Sequence, residues 1–509
     1  MAANRPRLRH AGVLLHPTSL PSAHGIGDLG DGARRFLDWL AEAGLTRWQV
    51  LPLVPTGGGN SPYGTPAALA GHPLLVDLVE LGRWGLLSAD ALQAPAFGLD
   101  SVDFARVIPY KRERLIAAAD ALIAGKNPGL KQELDEFRQG ARWAEDAAAF
   151  LALKAARNGE PWWSWEPALR DREPAALAAA KAAVQRDIDR EVALFFFFER
   201  QWRSLRSYAK ERGVAIIGDV PIYVDRDSAD VWAARESFRL NPDGSPVAVA
   251  GVPPDFFSKD GQLWGNPLYD WARMAQDGHR WWVERMRRAL THVDIVRLDH
   301  FRGFAAYWEV AADATNARGG KWVPGPGRAL FDDLRRELGD LPLIAEDLGK
   351  IDDAVHELRD TFDLPGMKIL QFAFDEDDDH PFLPHRHTAR SVCYTATHDN
   401  DTTLGWWQTT NERARDHVRR YLAVSGHEVV WDLIRACFAS VADLAIVPLQ
   451  DVLCLDGRSR MNTPGVAEGN WGWRVRVQAF NHPLAARLKE LAELYGRGVT
   501  TRKKDLAPD

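Results

Sequence analysis

Three stretches far apart in this 509-residue chain each set a carboxylate where an apolar run ends. They are Ile295-Val296-Arg297-Leu298-Asp299, Leu343-Ile344-Ala345-Glu346-Asp347, and Val392-Cys393-Tyr394-Thr395-Ala396-Thr397-His398-Asp399-Asn400-Asp401. If the runs are parallel strands of a β/α barrel, the carboxylates meet, because the catalytic groups of such barrels come from the C-terminal ends of different strands. Two carboxyl groups flanking a sugar bond, with a third nearby, suit glycosyl transfer; retention of configuration requires the first two to lie about 5–5.5 Å apart.

Arg297 and Asp299 are two residues apart in a strand pattern, so they share a face, where the guanidinium would favour the ionised carboxylate. That describes a nucleophile, with a structural ion pair at a strand end as the lesser alternative. Glu346 closes an apolar strand, where partial burial should raise its pKa and let it hold a proton for a leaving oxygen. Asp347 then points to the opposite face and is expected to cap the following helix. In the segment 397–402, an imidazole and several acid or amide groups crowd together, and metal binding is the rival reading. The sequence shows no second His/Asp cluster with ligand spacing, so Asp399 and His398 are expected to hydrogen-bond sugar hydroxyls.

These groups need a scaffold of parallel strands. Short apolar runs bounded by turn residues occur at 12–15, 48–53, 214–219, 293–299, 343–346, 367–372, 392–396 and 444–450, a number that fits a (β/α)₈ TIM barrel. Phe195, Phe198, Trp202 and Leu205 repeat at helical spacing before the third run. The connection from 54 to 213 is too long for one barrel loop and is rich in alanine and charge, so it reads as a mainly helical insertion after strand 2. The expected organisation is 1–54 for the first part of the barrel, 55–213 for the inserted unit, and 214–509 for the rest of the barrel. Within the last, the Gly/Pro-rich stretch 241–265 reads as an active-site loop.

Composition narrows the function classes. With 63 basic and 70 acidic residues spread along the chain and a net charge of −7, there is no basic field for nucleic acid or a membrane surface. Cys393, Cys437 and Cys454 are the three cysteines; buried small hydrophobes explain them better than disulfides or zinc. The apolar stretch after the basic start is too short for a signal sequence, and no run reaches transmembrane length, so a cytoplasmic protein is expected. The sequon at Asn400 is then a chance match. Gly25-Ile26-Gly27-Asp28-Leu29-Gly30 matches a dinucleotide fingerprint, but Pro17 and Pro21 stand where a tight strand-to-helix turn is required. Twenty tryptophans, many in close groups such as Trp471 and Trp473, serve either as core or as platforms for sugar faces.

Taken in order, further segments resemble the 4-α-glucanotransferases called amylomaltases or disproportionating enzymes (glycoside hydrolase family 77) of the α-amylase clan. The segments begin at Gly12-Val13-Leu14-Leu15-His16-Pro17-Thr18-Ser19-Leu20-Pro21, Ser61-Pro62-Tyr63 and Gly218-Asp219-Val220-Pro221. They continue through Gly251-Val252-Pro253-Pro254-Asp255-Phe256-Phe257, Trp264-Gly265-Asn266-Pro267, Arg297-Leu298-Asp299-His300-Phe301-Arg302-Gly303 and Arg460-Met461-Asn462-Thr463-Pro464. The resemblance spans nearly the whole chain. It implies Asp299 as nucleophile, Glu346 as general acid/base and Asp399 as the carboxylate stabilising the transition state. Tyr63, Asp219, Phe256, Phe257, Trp264, Arg297, His398 and Asn462 would bind the glucan, with Phe256, Phe257 and Trp264 on a loop arching over the donor. Gly64-Thr65-Pro66 departs from the family's usual Gln-Ser-type continuation. A first strand near Gly12 suggests no long N-terminal extension of the kind found on some larger relatives. The implied partners are α-1,4-glucans, with glucose as acceptor, and no organic cofactor or metal. A hydrolase using the same carboxylates and a non-catalytic glucan-binding protein are the alternatives.

Overall fold

The computed structural model describes residues 9–254, 258–374 and 379–498. Its strands, in chain order, are β1 (His10–Leu14), β2 (Arg47–Gln49), β3 (Ala215–Val220), β4 (Ala248–Val252), β5 (Gln262–Pro267), β6 (Ile295–Leu298), β7 (Ala306–Ala311), β8 (Lys321–Pro324), β9 (Leu343–Ala345), β10 (Gly366–Ile369), β11 (Ser391–Tyr394) and β12 (Leu444–Pro448). Eight of them close into a parallel barrel in the order β1-β2-β3-β6-β9-β10-β11-β12, with β12 pairing back onto β1. Each expected run overlaps one barrel strand, so the (β/α)₈ reading holds. All but β3 stop before their apolar runs do: β2 ends at Gln49, where 48–53 was expected, and Pro52 two residues beyond the pairing Val50 amide cannot donate to a ladder.

The barrel is filled by alternate strand residues pointing inward. Leu14, Ile217, Ile344, Met367, Ile369, Val392, Tyr394, Leu444 and Ile446 form this inner core, and Met461 and Trp471 close it from above. The outward residues pack under surrounding helices. Asp31–Glu42 is an example: Ala33, Phe36, Leu37 and Leu40 recur at three- and four-residue spacing and are buried.

Between β2 and β3 run the helices Phe104–Ile123, Pro128–Gly140, Arg142–Ala156, Pro174–Ala183 and Gln185–Glu211. The last leads into β3. It touches Phe104–Ile123 and Arg142–Ala156 on one side and β3 on the other, and this explains why four consecutive residues, Phe195, Phe196, Phe197 and Phe198, are all buried. A helix enclosed on both sides is apolar around its circumference, beyond the single face that the spacing of Phe195 and Phe198 indicated.

The stretch 241–265 differs from the expected loop. Residues Ala248–Val252 and Gln262–Pro267 are strands of a second sheet, antiparallel in the order β5-β4-β7-β8. Its partners β7 and β8 follow β6 in sequence, so the ladder forms between segments that each look like loop when read alone.

Candidate active site

Asp299 is the first residue after β6 and Glu346 the first after β9, neighbouring strands whose register pairs Leu298 with Ala345. The two carboxylates therefore leave adjacent strands at the same level. Asp219 lies on β3, opposite Arg297 of β6. His398 and Asp399 sit on the turn that follows β11.

Arg297 organises the centre. Its buried guanidinium donates through one amino group to Asp219 Oδ2 at 2.7 Å and through the other lies 2.9 Å from Asp299 Oδ1. The side chain of Asp299 remains 28% exposed while those of Arg297 and Asp219 are 4% and 0% exposed, so of the three only Asp299 presents a carboxylate to a substrate. Tyr63 Oη donates to Asp219 Oδ2 at 2.8 Å, whereas Asp219 Oδ1 is buried with no hydrogen-bond partner. Asp219 thus holds Tyr63 and Arg297 in place. Burial opposes charge on Arg297, but Asp219 and Asp299 outweigh it and drive the guanidinium pKa upward.

Glu346 is 9% exposed. Its Oε2 accepts from the His300 amide at 2.7 Å and its Oε1 from the Leu348 amide at 3.0 Å. Burial pushes its pKa up to about 8, with Asp299 adding repulsion, while Arg297 and the two amides pull the other way. At neutral pH it carries a proton, which is the state a general acid requires. The His300 amide reaches it because His300 has φ +51°, and Gly303 leaves room for that turn: a Cβ there would lie 2.6 Å from Ile222 and 3.2 Å from the His300 ring.

Asp399 is oriented from two directions. Asn462 Nδ2 donates to its Oδ1 at 2.6 Å, and His398 Nε2 lies 3.4 Å from its Oδ2. The His398 ring stacks on Tyr63 with centroids 5.2 Å apart and planes 11° apart, and burial lowers the His398 pKa despite Asp399. Trp264, on β5 and 36% exposed, meets the His300 ring edge-on at 4.8 Å. Phe256 and Phe257 lie outside the described residues.

Two expectations are corrected. Asp347 caps no helix; it accepts from the Met367 amide at 2.8 Å and pairs with Arg359 at 2.7 Å. The cap of the next helix is Asp352, whose side chain accepts from the Val355 amide. A second His/Asp cluster also exists, invisible in sequence because the fold assembles it: His24, Asp28 and Asp77 bring ligand atoms within 4.8 Å of one another. Lys111 and Arg474 supply positive charge beside it, and the Lys111 ammonium donates to the Leu74 and Val76 carbonyls, each at 2.7 Å. In the 397–402 segment the oxygens are used locally: Asn400 Oδ1 accepts from both the amide and the hydroxyl of Thr397.

Sequence reasoning passed over Arg460, which donates to the Asp399 carbonyl, and the backbone amides on Glu346, which have no side-chain signal. Gly64 and Thr65, the departing residues after Tyr63, make local bonds: the Gly64 carbonyl accepts from the Gly57 amide, and the Thr65 hydroxyl oxygen from the Ala67 amide.

A closed parallel barrel with carboxylates gathered at its strand ends, one buried with its pKa raised and one paired with arginine, defines a barrel enzyme of carboxylate chemistry. The sequence model of the 4-alpha-glucanotransferase family matches residues 15–479. The 4-alpha-glucanotransferase of Synechocystis sp. is 48% identical over 96% of this chain and 98% of its own length, and that of Thermus thermophilus 46% over 95% and 98%. Among solved structures, the amylomaltase of Streptococcus agalactiae in complex with acarbose superposes with TM-score 0.94 at 37% identity, covering 96% of this chain and all of that one. The chain belongs to the 4-alpha-glucanotransferase family and is a glucan-transferring enzyme. Among the described residues no helix is long and apolar enough to cross a membrane.

Proposed function

We propose that this enzyme transfers a segment of α-1,4-glucan to the 4-hydroxyl of another glucan or of glucose by double displacement. Asp299 attacks the anomeric carbon while Glu346 gives its proton to the departing O4, leaving a glucanosyl ester on Asp299. Glu346, now a carboxylate, takes the proton of the acceptor hydroxyl as that oxygen displaces Asp299, so the α configuration returns. Asp399, aligned by Asn462 and His398, stabilises the transition state at the sugar hydroxyls. The exposed face of Trp264 offers a stacking surface for a sugar ring of the bound glucan. The work takes place in the cytoplasm, and the helical segment 55–213 forms a unit inserted into the barrel.

The observation that carries this reading is the asymmetry of the two central carboxyls. Glu346 is buried with its pKa raised, while Asp299 is partly exposed and bound to Arg297. Such a pair assigns acid and nucleophile by environment. Incubation with maltotriose alone tests it. Longer maltodextrins appearing together with glucose are expected, and glucose and maltose as sole products would make the enzyme a hydrolase.

A further inference from the structure

Nine non-glycine residues have positive φ among the described residues, and the bulkiest of them is Trp471, at φ +65°. A large side chain in the left-handed region is an outlier that persists only where surrounding structure over-determines it. Here it does. The Trp471 amide donates to the Met461 carbonyl at 2.7 Å, the Thr463 amide to Asn470 Oδ1 at 2.9 Å, and the Val102 amide to the Gly472 carbonyl at 2.8 Å. Glycine occupies positions 469 and 472, yet the strained position holds an indole, so the ring supplies something that an unstrained glycine would not.

The surroundings of the ring say what. Trp471 is 6% exposed and belongs to the inner core of the barrel. On its other side it leans on Tyr63, with centroids 5.9 Å apart at 41°, and on His398, 6.1 Å apart at 37°. Those two rings stack on each other, and each ends in a polar contact to a carboxylate. Tyr63 reaches Asp219, and through it Arg297 and Asp299; His398 reaches Asp399. One indole therefore backs both arms of the site.

We infer that Trp471 is a positioning residue, held in a strained backbone so that its indole wedges the Tyr63–His398 stack against the barrel core and fixes Asp299 and Asp399 relative to one another. It touches no reacting atom. The inference rests on the proposed double displacement and adds to it a residue whose effect on the carboxylates is indirect.

The test measures kcat and KM for maltotriose disproportionation, with thermal unfolding, in wild type, Trp471→Gly, Trp471→Leu and Trp471→Phe. Misplacement of reacting groups by fractions of an ångström to 1 Å is expected to lower kcat about 10²-fold in the glycine and leucine variants. KM should change less than about threefold, the signature of an interaction that matters in the transition state. Trp471→Phe, which keeps a ring, should recover most of the lost rate. Leucine fills apolar volume without a ring, so it decides the matter if the glycine variant fails to fold. A Trp471→Leu enzyme as active as wild type or as Trp471→Phe overturns the inference while glucan transfer stands. A wild type that cannot lengthen maltotriose overturns the functional reading instead.

Discussion

The helices inserted between β2 and β3 and the strand-end face of the barrel treat buried groups in opposite ways. In the insertion, aromatic rings fill space: Phe150 is fully buried between Trp165 of the same segment and Trp232, which follows β3, with centroids 5.7 and 5.9 Å away. Its charges find partners, as in Arg190 with Asp120 at 2.7 Å, and even the buried Lys111 has two carbonyl acceptors. At the strand ends, Asp219 keeps an orphaned oxygen, Glu346 is forced to hold a proton, and His300 and Trp471 have positive φ. Positive φ and unpartnered buried atoms also occur between β2 and β3, at Arg172 for example, so the division lies in their grouping: at the strand ends they gather around carboxylates, as a preorganised site would require.

That division can be broken or sharpened by substitution. Asp299→Ala should have the largest effect, lowering turnover of maltotriose by about 10⁴-fold or more, while the melting temperature stays at or above that of wild type because one of several crowded carboxylates is gone. Calorimetry showing a large loss of stability would mean that Asp299 is structural. Glu346→Gln comes next, with a drop of about 10²–10⁴-fold when the leaving group needs a proton. Its stability has a definite sign. A carboxyl whose pKa is raised on folding, here to about 8, binds its proton more tightly when folded, so wild type loses stability as pH rises from the unfolded value toward 8. The glutamine variant should therefore gain on wild type by up to about 1.4 kcal/mol per pH unit across that window, as read by denaturant titrations at pH 5 and pH 8. Activity of wild type should fall above pH about 8 as Glu346 loses its proton.

In the insertion the order of effects reverses. Phe150→Ala should cost about 3–5 kcal/mol of stability and leave kcat of the folded enzyme unchanged; a change in kcat would show that the insertion and the site are mechanically linked. The smallest effect belongs to a surface pair on the same unit, Lys131 with Asp135. Lys131→Ala should alter stability by less than about 0.5 kcal/mol and turnover not at all.

The same two regions show what could be read from sequence. Barrel strands announced themselves because a strand buried on both faces is a continuous apolar run, and the carboxylates at their ends stood out by type and spacing. That pattern singled out Asp299 and Glu346 as nucleophile and acid candidates and marked Asp399 as a sugar contact; the place of Asp399 in the trio is what the family resemblance implies. The second sheet was hidden because β4 pairs with β5 and β7, and no short segment displays a partner some 60 residues away in sequence. Asp347 was misread for a related reason: its partners Arg359 and Met367 come from later elements. The protonation of Glu346 follows from burial and could be anticipated, whereas the amides of His300 and Leu348 that hold it are backbone groups without a residue signature. The position of Trp471 behind Tyr63 is set only by the tertiary fold, which brings residues 63 and 471 together.

The central claim is that Asp299 forms the covalent bond. It is tested most directly by treating Glu346→Gln with α-maltotriosyl fluoride, whose leaving group needs no acid, then quenching, digesting and weighing the peptides. A maltotriosyl mass on the peptide containing Asp299, accumulating because no base remains to activate an acceptor, is the predicted result. The same label on a different carboxylate, or no label while fluoride is released, would contradict the account.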